Sequence, residues 1–262
     1  MTGKVLAAVL LAVLGIGTAA AAPEHPGPSS RLDQVQRRGE VKVCSTGDYR
    51  PFTYRDPATG AWSGIDVDMA GDFAKKLGVR LTIVPSTWKT VADDVGRRCD
   101  LAMGGVSITL DRAKTGFFSA PYVRDGKTPI TRCENAGKFQ TLAQIDQPGV
   151  RAIVNPGGTN EQFADANLHR ATIVRHPDNN TIFAEVIAGR ADLMITDATE
   201  TKWQAKQHPE LCAVHPDQPF TFAEKAYLLP RGDVVFQQWA DQWLHLALND
   251  GTYAAFAKPW LG

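Results

Sequence analysis

Asp197 and Glu200 close the stretch Gly189-Arg-Ala-Asp-Leu-Met-Ile-Thr-Asp-Ala-Thr-Glu200, three residues apart. Leu193-Met-Ile195 reads as a short strand buried in a parallel sheet, and the polar run Ala198 to Gln207 reads as the helix that follows it. Ligands of open α/β sheets bind at the carboxyl ends of the strands. Across that strand-to-helix turn both acids can point into one cavity. The same spacing also fits a plain capping box, with Asp197 as N-cap and Glu200 as its N3 partner. Other residues expected at strand ends extend the constellation: Asp48, Trp88, Ser107 with Thr109 and Arg112, Lys127, and Gly157-Gly158-Thr159-Asn160. A glycine pair before a helix lets backbone N–H groups approach an anion. Arg112 is suited to a bidentate grip on a carboxylate, unless it only pairs with Asp111. Trp88 and Phe52 are placed to sandwich a ring. Anion donors stand opposite acids, which is the pattern of a polar small-molecule site.

The elements that must position these groups repeat. Leu32 to Arg38 is an amphipathic helix, Val41 to Cys44 a strand, and Tyr49 to Tyr54 an aromatic loop. A helix running to Leu77, a strand at Leu81 to Val84, a helix at Thr90 to Arg98 and a strand at Asp100 to Gly105 complete β-α-β-α-β, a right-handed parallel unit. The order restarts with a strand at Val150 to Val154, a helix at Asn160 to Leu168, a strand at Thr172 to Arg175, a helix at Asn180 to Ala188 and the strand at Leu193. Tyr122 to Thr131 and Lys225 to Leu229 are extended segments that pass between the halves, and Val234 to Phe256 is a helical tail covering the first. The expected fold is α/β: two parallel-sheet lobes joined by two hinge strands, with lobe 1 at 32–125 and 231–262 and lobe 2 at 126–230. A cleft between the lobes, closing on the hinge, is the expected ligand site.

Residues 1–22 read as a secretory signal peptide: Lys4, an apolar run from Val5 to Ile16, then small residues to Ala22. A Pro-rich tether follows at 23–31. No later segment is apolar enough to span a bilayer, so an exported protein with no membrane insertion after signal cleavage is expected. Lys and Arg total 28 and so do Asp and Glu, and no basic cluster interleaved with aromatics is present; nucleic acid is not an expected partner. The four cysteines lack zinc spacing. In an oxidising compartment Cys133 and Cys212, at edges of one expected lobe, are the preferred disulfide, while Cys44, inside an apolar strand, reads as a buried thiol. His176, His208 and His215 stand singly before prolines, so no metal site is expected. There is neither a G-x-S-x-G elbow nor a Gly-x-Gly phosphate fingerprint, and no cofactor is indicated.

Gly64-Ile-Asp-Val-Asp68, Ser107 to Arg112, Phe118-Ser-Ala-Pro-Tyr122, Gly157-Gly-Thr159 and Thr196-Asp197 resemble the motifs of periplasmic amino-acid-binding proteins of ABC transporters, over essentially the whole chain after the tether. That resemblance implies the type II binding-protein fold, Arg112 and Thr159 on a ligand's α-carboxylate, and Asp197 on its ammonium. A narrower resemblance is to the periplasmic cyclohexadienyl dehydratases. It rests on Val43 to Phe52, Met103 to Ser107, Arg124 to Cys133, Asn155 to Asn160, Asp192 to Asp197 and Ala213 to Phe220. It implies a periplasmic lyase that takes prephenate to phenylpyruvate and L-arogenate to L-phenylalanine, with Glu200 as general acid and Asn160 beside it. Lys127 and Arg112 are then expected to hold carboxylates, and Glu200 must stay protonated near neutral pH, as burial and Asp197 would favour. The alternative is a receptor that binds an amino acid and does no chemistry.

Overall fold

In the first sheet Glu40–Ser45 lies between Arg80–Pro85 and Leu101–Ala102, parallel to both. Leu228–Pro230 then pairs antiparallel with Leu101–Ala102 and with Gly116–Phe118. The second sheet repeats the plan: Arg151–Val154 is parallel to Thr172–Arg175 and to Leu193–Asp197, while Lys127–Arg132 joins Leu193–Asp197 antiparallel and carries Leu211–Ala213 on its other edge. The two-sheet α/β architecture is the one expected. Each sheet also contains antiparallel strands that the parallel-only reading left out, because the chain enters or re-enters each half along an edge of its β-α-β-α-β unit. These facts come from a computed structural model that describes residues 29–262. The expected signal peptide and residues 23–28 of the tether lie outside the described residues. Among the described residues no helix is long and apolar enough to cross a membrane.

The core of the first half is built by the helix Ile65–Leu77, whose apolar face (Ile65, Met69, Phe73, Leu77) is buried at helical spacing. Phe73 meets Phe236, Trp239 and Trp243 edge to face at 6.0, 5.0 and 4.8 Å, so the C-terminal tail does cover this half. That tail is two helices, Val234–Asn249 and Thr252–Leu261, rather than one. Leu228–Pro230, which the sequence reading gave to the second lobe, is hydrogen-bonded into the first sheet, where Leu228 and Leu229 are fully buried. The actual crossing is the ladder of Val123–Asp125 with Ala223–Lys225.

Three local expectations change. The helix at Thr90 to Arg98 shrinks to Val91–Asp94: Val95 is extended, and the Asp94 carboxylate accepts from Ser86, Thr90 and Arg98 instead of leaving the chain helical. The strand at Asp100 to Gly105 is only Leu101–Ala102, because the chain turns away at Gly104 and Gly105 with φ of 135° and 71°. The aromatic loop is a small sheet of Asp48–Tyr49, Thr53–Arg55 and Trp62–Ser63.

Cys133 and Cys212 are bonded, as expected. Cys44 is not a thiol: it is bonded to Cys99, tying the first strand to the loop before Leu101. Burial in an apolar strand identified an interior sulfur, and only the parallel pairing of Glu40–Ser45 with Leu101–Ala102 brings its partner within reach. The bridges span 55 and 79 residues. Replacing either pair by alanines should cost about 4–4.5 kcal/mol by loop closure, read as an earlier midpoint in thermal unfolding. An unchanged midpoint would show that the unfolded chain gains nothing from the opened loop.

Candidate active site

Leu193–Asp197 is buried at all five positions between two neighbouring strands. Its antiparallel register sets Asp197 directly opposite Lys127, and Lys127 Nζ makes an ion pair with Asp197 Oδ1 at 2.8 Å. The other oxygen, Oδ2, accepts from Lys225 Nζ at 2.5 Å and from the Tyr49 hydroxyl at 2.6 Å. Lys225 also donates to Ser107 Oγ at 2.9 Å. One carboxylate therefore joins the second sheet, the hinge ladder and the first half of the molecule. Burial alone would raise the Asp197 carboxyl; the two ammonium groups overcome it and hold the acid ionised, well below the usual range. Burial pulls the Lys127 ammonium down, and Asp197 opposes that pull.

Glu200 is 1% exposed and makes no ion pair among the described residues. It accepts from Thr196 Oγ1 at 2.6 Å, Thr196 accepts from Asn160 Nδ2 at 3.0 Å, and Asn160 Oδ1 accepts from Lys127. The hydrogen bonds all point one way, from the Lys127 ammonium to the Glu200 carboxyl. Burial is the main cause that raises Glu200 to about 8; the negative charges of Asp197 and Asp48 add to it, against the Thr196 hydrogen bond and Lys127. The capping-box alternative is not what forms, since Asp197 caps nothing with its side chain and Glu200 bonds to Thr196. Two acids three residues apart are thus held in opposite protonation states, the arrangement that acid catalysis requires.

Between the halves lies a small cavity, to which Tyr49, Trp88, Ser107, Thr159, Asp197 and Lys225 contribute. Asn160 and Gly158 also line it, at the N-terminus of the helix Thr159–Asn167. Glu200 stands one layer behind Asn160 and Thr196. Trp88 forms one wall, anchored by its Nε1–H on Asp48 Oδ1 at 2.9 Å; Asp48 is therefore a support, its carboxyl raised by burial. The Trp88 side chain faces Gly158, at ordinary van der Waals distance from where a Cβ would lie, 3.5 Å.

Several expected residues take other places. Phe52 is fully buried behind Tyr49, stacked on it at 5.5 Å, so Tyr49 rather than Phe52 shares the cavity with Trp88. The Gly157 N–H is already taken by Glu161 Oε2 at 2.7 Å, so only Gly158 and the residues after it face the cavity. Thr109 caps the short helix Leu110–Ala113 by accepting from the Arg112 N–H. Arg112 lies in an outer groove with Trp88, Lys89 and Gly157, its guanidinium donating to the Ser107 carbonyl at 2.9 Å. Asp111 pairs with Lys114, not with Arg112. The sequence reading overlooked Lys225, Tyr49, Asn155 and Asn179 as cavity residues. A lysine heading the apolar run Ala226-Tyr-Leu-Leu229 was the one available signal for Lys225.

With this geometry in hand, the similarities are specific. The model of bacterial extracellular solute-binding proteins, family 3, matches residues 41–262. Cyclohexadienyl dehydratase of Pseudomonas aeruginosa is 55% identical over 233 residues, covering 88% of this chain and 86% of that protein. The L-cystine-binding protein TcyJ of Escherichia coli is 26% identical over the same shares of the two chains. Among solved structures, an ancestral amino acid-binding protein described as a precursor of cyclohexadienyl dehydratase superposes with a TM-score of 0.81 at 33% identity, covering 89% of this chain and all of that one. An ancestral cyclohexadienyl dehydratase gives 0.56 at 48% identity, covering 89% and 97%.

Proposed function

The chain belongs to the bacterial extracellular solute-binding proteins of family 3, and we propose that within this family it is a cyclohexadienyl dehydratase, a carbon–oxygen lyase acting on prephenate and L-arogenate. The observation that carries this reading is the buried Glu200, its carboxyl raised to about 8 and wired through Thr196 and Asn160 to Lys127. A protein that only bound its ligand would gain nothing from a second acid kept neutral beside Asp197.

In this reaction the bond between the ring and its carboxylate breaks, and its electron pair becomes part of the new aromatic ring. The carbon–oxygen bond across the ring breaks with its pair leaving on oxygen, and a proton from Glu200 completes water. Prephenate and one proton thus give phenylpyruvate, carbon dioxide and water; L-arogenate gives L-phenylalanine in the same way. Glu200 regains its proton from solvent. We assign the side-chain carboxylate to Gly158 and Thr159, and the orienting of the acid to Asn160 and Lys127. Ser107 and Asp197 hold the Lys225 ammonium in place, and Trp88 covers the ring. Holding the reacting groups in register, rather than proton transfer alone, must supply much of the rate, and closure of the halves about the hinge ladder is how the cavity excludes water. The family's extracellular character and the export signal expected at residues 1–22 support a periplasmic location.

Purified protein incubated with prephenate and then made alkaline is expected to develop the ultraviolet absorbance of phenylpyruvate. No absorbance change, together with tight binding of a free amino acid, would move the chain to the receptors of the family.

A further inference from the structure

Two of the residues lining the cavity are charged, Asp197 and Lys225. The carboxylate is the only acid there, and ammonium groups already flank both its oxygens: Lys225 and the Tyr49 hydroxyl share Oδ2, and Lys127 lies 2.8 Å from Oδ1 as an ion pair that leaves this buried oxygen without a hydrogen bond. At Asp197 two ammonium groups thus face one carboxylate; the buried Asp125 on the hinge ladder is the next acid, near enough to interact with Lys225 but outside ion-pair distance. Lys225 is completely buried and Lys127 nearly so, and neither has another acid within ion-pair distance. Glu200 behind them adds no negative charge at neutral pH. The remaining lining side chains are neutral hydrogen-bonders and an indole, among them Ser107, Asn155, Thr159, Asn160 and Trp88.

From this we infer that Lys225 sets the charge class of the ligand: its ammonium fills the anionic corner of the cavity, so the site selects 2-oxo carboxylates over the corresponding 2-amino acids. A ligand ammonium entering here would be a third cation beside a carboxylate that already holds two, and like charges brought together without solvent are strongly disfavoured. A ligand carrying carboxylates and a keto group brings only what the cavity lacks. Under the dehydratase reading, on which the choice of substrates rests, this makes prephenate the better substrate than L-arogenate. The two differ only in that group.

The experiment pairs turnover with binding. For wild type and Lys225→Gln, kcat/KM is measured with prephenate and with L-arogenate, and calorimetry compares phenylpyruvate with L-phenylalanine. Glutamine, one atom shorter than lysine, keeps an amide donor on the same side of the cavity and removes the charge. Wild type is expected to favour the oxo member of each pair, and Lys225→Gln to shift both ratios toward the amino member by about tenfold or more, the scale of a relieved like-charge contact. A wild type that favours the amino member, or ratios unmoved by the substitution, would overturn the inference. If Lys225→Gln does not fold, the wild-type preference decides alone. A wild type that turns over neither substrate removes the dehydratase reading only, since the calorimetric pair still reports on Lys225.

Discussion

Glu200→Gln is expected to lower kcat by about a hundredfold or more while KM stays the same or falls, because glutamine keeps the shape and the bond from Thr196 but has no proton to give. The wild-type rate should be flat through neutral pH and decline as pH rises through about 8, where Glu200 loses that proton. Stability carries the same signature. A carboxyl raised from 4.5 to about 8 on folding contributes stability that is complete below pH 4.5 and is lost as pH climbs through 8. Thermal midpoints taken at about pH 5 and about pH 9 should therefore show wild type losing ground to Glu200→Gln at the higher pH. Near-normal turnover by Glu200→Gln would end the general-acid assignment. A rate loss without the change in stability profile would mean that Glu200 is already ionised in the folded protein.

Asp197→Asn should act chiefly on the fold. Asp197 is the shared counter-ion of Lys127 and Lys225, both buried, and it also accepts the Tyr49 hydroxyl. Removing one partner of a buried ion pair costs about 3–5 kcal/mol, since the orphaned charge stays out of water. For a chain of this size that is a fall in Tm of roughly 6–20 °C, and both substrates should lose activity together. Lys127 would also lose the partner that keeps it protonated, which weakens the chain of hydrogen bonds to Glu200. An intact melting temperature with selective loss of L-arogenate turnover would mean instead that Asp197 faces the ligand and the lysines do not depend on it.

Much of the site was legible because it obeys local rules. The apolar triplet Leu193-Met-Ile195 marks a buried strand, a polar helix follows at once, and ligand groups collect where such strands end. Those statements need only the next few residues, and they located Asp197, Glu200, Asn160, Ser107 and Lys127 in one cluster. The repeat of β-α-β-α-β order gave two sheets for the same reason: each unit is patterned by its own periodicity.

What the tertiary structure decided is which of these groups touch. Lys127 meets Asp197 through an antiparallel register across the sheet, Lys225 reaches it from the returning hinge strand, and Tyr49 comes from 148 residues away. Cys44 found Cys99 only through strand pairing, and Phe52 lost its place in the cavity to Tyr49, its neighbour in the same aromatic segment. Periodicity and residue type determine how a segment folds and which way it faces. Pairing between distant segments depends on register and on how two sheets close over each other, and neither is written in any local window. For Asp197 the difference is chemical: by itself the sequence offers a free acid for a ligand's ammonium, while the folded chain supplies that acid with ammonium groups of its own.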